Sequence, residues 1–234
     1  NIVENNFSIN FNGNGYVNLE EPEELEFMLN SSFTISMWVY LNFIPNQSSA
    51  KTIYMRGDTY GGNQNKFIWI NQGATAGNIN FSVRGSGGEG STSEVSIAPP
   101  TTNGWYYITC TRDLDTNQLT LHASNQEGFL ESNTSADVAG TISFTETRPH
   151  IIGADIYSDN VNTTNSHFNG KIDNLSIWNT VLNNESIELH KNCGISSEDL
   201  GLVGYWSFEE GPNEEGQIIE MSLRLRKKGK SQYI

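Results

Sequence analysis

Glu20, Glu21, Glu23, Glu24 and Glu26, gathered around Pro22, are the densest run of carboxylates in the chain and the first place to look for acid–base chemistry. Retaining glycan hydrolysis needs two carboxyl groups held about 5 to 5.5 Å apart. A cluster in a proline-containing loop does not impose that spacing, and it reads as a charged, solvated surface. A serine nucleophile would require a Gly-X-Ser-X-Gly elbow, which the sequence lacks. Neither Cys110 nor Cys193 stands in a recognisable Cys–His signature. His122, His150, His167 and His190 are dispersed, without the His-X-His or His-Glu-X-X-His spacing that fixes a transition metal, and each reads as a surface or loop histidine. The glycine-rich stretch 85–93, GSGGEGSTS, has no lysine and no strand-to-helix setting, so it is a loop and not a phosphate cradle. No catalytic residue is assigned.

Binding chemistry is better supplied. Sugar rings need flat apolar faces, and their hydroxyls need amide or carboxylate partners. In FTISMWVYL, residues 33–41, Phe33, Ile35, Met37, Val39 and Leu41 alternate with Thr34, Ser36, Trp38 and Tyr40. One face therefore belongs to a core, and the other sets two aromatics among hydroxyls. Trp38 and Tyr40 are the leading ligand-binding candidates provided that face is concave and solvated, with Tyr60, Trp69 and Tyr157 extending it. A protein partner would use the same surface, so residue type alone does not separate the two ligands. Cys110 and Cys193 can pair in an oxidising compartment; Cys110 shares a strand face with Ile108, which leaves a buried free thiol equally open.

The elements that must position these residues are strands. Short apolar or alternating runs recur at 52–56, 66–70, 78–83, 94–98, 105–111, 118–123, 140–144, 150–154, 171–178 and 202–208, separated by Gly-, Asn- and Ser-rich turns. Many strands with almost no helix predict an all-β, antiparallel two-sheet sandwich or jelly roll. A single short helix is expected near 183–190, with Asn183 as N-cap and Gly194 as the stop. Of the 234 residues, 29 are Asn and 42 are Ser or Thr, while only 17% are charged, so neutral polar groups do most of the solvating. Residues 1–221 hold all 27 acidic residues against eight basic ones, a formal charge of −19. That body repels phosphate backbones, which argues against nucleic acid as a partner. No window approaches the roughly 20 apolar residues of a membrane helix. The first residue is Asn1, not Met, and the chain is expected to be an excised piece of a larger, multidomain, secreted or cell-surface protein. Eight Asn-X-Ser/Thr sequons are close to the number this composition generates by chance and carry no weight.

SINFNGNGYVNLE (8–20), SSFTISMWVYLN (31–42), NGWYYITCTRD (103–113), IIGADIY (151–157) and FNGKIDNLSIWNTVLNNESIELH (168–190), in that order and spacing, resemble the laminin-G-like family of concanavalin A-type lectin/glucanase domains. The resemblance runs from about residue 7 to about 193. It implies a jelly roll whose curved face binds glycans or protein ligands in relatives, and a calcium ion at the rim or convex side of several of them. By the same resemblance Asn14 and Asp173 are the metal candidates, with Asp155, Asp159 and Asn160 as a second acid–amide group, and Trp105 and Trp206 fall in core strands. The Glu-X-Asp-X-Glu and Glu-X-Asp-X-X-Glu strands of the enzyme members are absent. After GYWSFEEG (204–211) the chain departs from the family pattern and ends in a basic segment. The expected organisation is therefore one jelly roll, 1–211, and a tail, 212–234, disordered or a truncated junction. The resulting expectation is a non-catalytic extracellular module for glycans, possible with calcium. A structural or protein-interaction domain of an adhesin is the alternative, and a glycan hydrolase or lyase the remote one.

Overall fold

The structure is a computed structural model that describes residues 7–42, 49–57, 66–74, 77–86, 91–98, 103–144, 148–156, 164–209, 226–227 and 230–231. In chain order its strands are β1 (Ile9–Asn12), β2 (Val17–Asn18), β3 (Phe33–Leu41), β4 (Lys51–Gly57), β5 (Phe67–Gln72), β6 (Ile79–Arg84), β7 (Thr92–Ile97), β8 (Gly104–Asp113), β9 (Gln118–Asn125) and β10 (Gly128–Ala136). They continue with β11 (His150–Ile152), β12 (Asp155–Ile156), β13 (Thr164–Asn165), β14 (Asn169–Trp178) and β15 (Leu202–Trp206). One helix, α1 (Asn184–Cys193), separates the last two. A short ladder, β16 (Arg226–Lys227) with β17 (Lys230–Ser231), is what is described of the tail.

Two antiparallel sheets carry the fold. One has seven strands in the order β1-β14-β3-β8-β9-β10, with β15 also paired to β14; the other has six in the order β2-β11-β4-β5-β6-β7. The expected jelly-roll sandwich is thus present. Period-two alternation decides which side chains face inward. Phe33, Ile35, Met37, Val39 and Leu41 of β3 and Ile108 and Cys110 of β8 meet Ile68 and Ile70 of β5 and Ile79, Phe81 and Val83 of β6 in one core cluster.

Two ion pairs involve buried arginines, with Asp137 buried and Glu26 half-exposed. Arg112, 1% exposed, holds Asp137 at 2.6 Å, and Ser93 Oγ and the Ala139 amide donate to the same carboxylate. At another position Arg56 donates to Glu26 Oε1 (2.5 Å) and to the Leu25 carbonyl. The acidic stretch is not a loop throughout: Pro22 precedes a 3-10 helix, Glu23–Leu29, that buries Leu25 and Met28 while Glu20, Glu23 and Glu26 stay exposed as expected. Glu21 accepts the Arg148 backbone amide. His150 and His190 are likewise buried, contrary to a surface reading of all four histidines. The Tyr54 hydroxyl and His150 Nδ1 share a hydrogen bond (2.5 Å), and burial followed by the nearby Arg56 charge pushes the imidazole pKa well below its usual range.

Two segments differ from the sequence expectation. Residues 140–144 form no strand; Gly140 instead gives its carbonyl to Arg112 Nη2, and Ile142 is buried. Conversely β10, Gly128–Ala136, is a strand outside the expected set, because its GFLESNTSA has no alternation of apolar residues to mark it.

Candidate functional site

Helix α1 begins where Asn183 Oδ1 accepts the Ser186 amide at 2.8 Å, satisfying one of the free donors of the first turn. The helix runs to Cys193, one turn beyond the expected end, with Gly194 following. It lies on the outer face of the seven-stranded sheet. His190 stacks on Trp178 at 4.4 Å with an 18° interplanar angle, and Ile187 is buried beneath the helix.

The sheet under and beside α1 is polar at one end and aromatic at the other. Beneath the helix, Tyr107 donates to Ser36 Oγ (3.0 Å), Ser36 and Ser176 hydroxyls bond at 2.7 Å, and Trp178 Nε1 donates to Ser176 Oγ (3.0 Å). Thr34 Oγ1 donates to the Thr180 carbonyl and accepts the Leu182 amide, tying the helix approach to β3. Burial raises the Tyr107 hydroxyl well above its usual pKa, so it remains a donor.

Beyond the helix, strand register lays two rows across the same face. One runs Asp173–Trp38–Tyr107–Ser124, the other Asn10–Lys171–Tyr40–Trp105. The Trp38 and Tyr107 rings lie 5.3 Å apart at 57°, and Tyr40 meets Trp105 edge-on at 5.6 Å. Lys171 Nζ sits 5.8 Å over the Tyr40 ring. Trp38, Tyr40 and Trp105 are half-buried, so each has one side packed and one exposed. A cleft of about 310 Å³ adjoins the first row, lined by His122, Ser124, Asn184, Ile187 and Glu188. Burial lowers the His122 pKa, keeping its ring neutral near pH 7.

A β-bulge follows Asp173 and turns Ser176 and Trp178 onto the same face. Register shifts between Asp173 and Ser176, and Asn174 takes φ 51°, a left-handed conformation that asparagine tolerates. The Asn174 amide N–H donates to Asp173 Oδ1 (2.7 Å) and Asn174 Nδ2 to Oδ2 (3.3 Å), while Tyr205 bonds Asn174 Oδ1.

The structure distributes the sequence candidates unevenly. Trp38 and Tyr40 occupy the outer face as expected. Trp105, read as core, stands beside Tyr40 on that face, whereas Trp206 is indeed in the core. The same alternation that exposes Trp38 was present in WYYITCT, where Trp105, Tyr107, Thr109 and Thr111 fall on one side. Trp69 does not extend the site: it lies on the six-stranded sheet, against Met55, Phe67 and Ile151, and donates to Thr52 Oγ1. Tyr60, Tyr157, Asp159 and Asn160 lie outside the described residues. Asp155 is buried.

Asn14 and Asp173 are not brought together. Asn14 lies in the loop past Asn12, which pairs with Asn169, and Asp173 is four residues further along β14, about 13 Å at the rise of a strand. Among the described residues no three or more His, Cys, Asp or Glu side chains gather in a metal-holding group. A calcium ion wants six to eight oxygen ligands, and this pair does not fit it. The cysteines are also separate: Cys110 is buried in the inter-sheet core, where burial raises its thiol pKa, and Cys193 is exposed at the end of α1 on the other side of the sheet. A disulfide needs Cα atoms about 5.5 to 6 Å apart, so both thiols are free.

This jelly roll, with half-buried rings on its outer face, has the architecture of a concanavalin A-like domain. The chain belongs to the concanavalin A-like lectin/glucanases superfamily, whose laminin-G-type family model matches residues 11–188. Among solved structures it is similar to CBM40 of the Ruminococcus gnavus IT-sialidase bound to α2,3-sialyllactose, with 17% identity over 80% of this chain and 96% of that one and a TM-score of 0.57. It is similar to the binding domain of botulinum neurotoxin DC in complex with SialylT, at 15% identity, 88% and 46% coverage and a TM-score of 0.56, a domain also solved with rat synaptotagmin II. A SAP-like pentraxin from Limulus polyphemus shares 11% identity over 87% and 88% of the two chains, with a TM-score of 0.53. No curated protein matches the chain. No helix among the described residues is long and apolar enough to cross a membrane.

Proposed function

We propose that this domain is a non-catalytic, extracellular glycan-binding module whose ligand lies across the outer face of the seven-stranded sheet. The observation that carries the reading is the set of half-buried rings Trp38, Tyr40 and Trp105, side by side with Trp38 backed by the buried Tyr107, and bordered by the α1 cleft. Sugar rings stack on such faces, and Asn10, Ser124 and Asn184 at the borders offer hydroxyl partners. Catalysis has no comparable support: within the acidic stretch Glu26 pairs with Arg56 and Glu21 accepts the Arg148 backbone amide, away from these rings. Calcium is not part of the proposed site, since Asp173 and Asn14 do not share one.

Glycan-array binding tests the reading. Trp38→Ala and Trp105→Ala should each weaken the best array ligand by about 30-fold, as loss of roughly 2 kcal/mol at a stacking anchor implies, with folding intact by circular dichroism and binding unchanged by EDTA. A domain that binds no glycan, but does bind a cell-surface protein through these same rings, would replace it with the protein-interaction reading, which the rat synaptotagmin II complex of a similar fold favours.

A further inference from the structure

Resting on that reading, we propose that the glycan is a neutral one, so that sialic acids, uronic acids and sulfated sugars are rejected. Anionic sugars are gripped most specifically by arginine, whose planar fork matches a carboxylate or sulfate. Every Lys and Arg before residue 222 lies among the described residues, so the cations of the body are all placed. Arg56 is buried on Glu26, and Arg112 is buried on Asp137. Arg148 is buried beside β11, and Arg84 ends β6 on the opposite sheet. Lys51 opens β4 and Lys66 donates to the Ser143 carbonyl, both on the six-stranded side. Lys191 is buried against Glu188 at 2.7 Å.

Of these eight cations Lys171 is the one on the aromatic face, and its ammonium already sits over the Tyr40 ring. Opposing it is Asp173 in the row of Trp38, while Glu188 on the cleft wall is paired with Lys191. Residues 1–221 carry a formal charge of −19. An incoming carboxylate would exchange its hydration for one cation, one anion and a repulsive field. A neutral ring loses nothing of that kind and gains the same stacking. The relatives' sialylated ligands do not carry over, because at these identities only the fold is shared.

The test is a glycan array of matched pairs, each neutral structure beside its sialylated, uronate-bearing or sulfated counterpart, followed by titration of the best pair at low and high salt. Lactose and α2,3-sialyllactose serve as the reference pair. Neutral members should bind at least about tenfold more tightly than their acidic counterparts, with an affinity that salt does not change. Preference for the acidic members, with affinity falling as salt rises, would overturn this inference and leave the glycan-binding reading standing. Absence of binding to every glycan would overturn both.

Discussion

Asp137 shows how much one residue holds at the end of the sandwich. Its two oxygens take Arg112 Nε, Ser93 Oγ and the Ala139 amide, and both partners of the ion pair are almost wholly shielded from water. Truncating one side of such a pair leaves an uncompensated charge in the interior, whereas replacing both sides by apolar groups does not. Asp137→Ala should therefore cost about 3 to 5 kcal/mol in urea denaturation, and Arg112→Met with Asp137→Leu should recover most of the loss. A loss under about 1 kcal/mol in the single variant would mean that water reaches Arg112. The aromatic face contrasts with this. Trp38 and Trp105 are only half-buried, so on the proposed function their removal should cost ligand affinity far more than stability.

At the scale of elements, α1 is the piece whose stability rests most on local chemistry. It sits on a hydroxyl-rich surface, with Ile187 its one buried apolar residue, so its cap weighs heavily. Asn183→Ala removes the acceptor for the Ser186 amide and should destabilise the helix by about 1 kcal/mol. The measurement is hydrogen exchange: α1 amides should lose protection while β3 and β8 keep theirs. Equal loss in the strands would show that α1 and the sandwich unfold as one unit. The cap, the start of the helix and β3 to the residue were legible in the sequence, because Asn183 and the alternation of FTISMWVYL are local signals. So was the aromatic face, through Trp38 and Tyr40. What stayed hidden depends on pairing between distant segments. Trp105 joins Tyr40 only once β8 docks on β3, and Trp69 is removed to the other sheet by the same topology. The 3-10 helix escaped notice because its acids mask Leu25 and Met28, and β10 because an edge strand with exposed polar residues has no periodicity to read.

For the whole molecule, acidity and buried histidine set how stability responds to pH. Between neutrality and about pH 5 the carboxylates stay charged, so the self-repulsion of the acidic body is nearly constant and the histidines decide the slope. His150 is neutral in the folded state, walled in by burial and by Arg56, and its pKa lies well below the unfolded value of 6.5; burial also lowers His122 and His190, with Asp199 partly offsetting the shift at His190. Above pH 6.5 neither state binds a proton at His150, and its contribution is complete. As pH falls below 6.5 the unfolded chain takes up a proton that the native protein refuses, so stability drops by up to about 1.4 kcal/mol per pH unit and per histidine until the native pKa is reached. Urea midpoints should accordingly fall steadily from pH 7 toward about pH 5, and His150→Gln should make that decline shallower whatever it does to the absolute stability. An unchanged slope in His150→Gln would show that the native protein accepts the proton at His150, through an opening of the Tyr54 contact that lets water reach the ring.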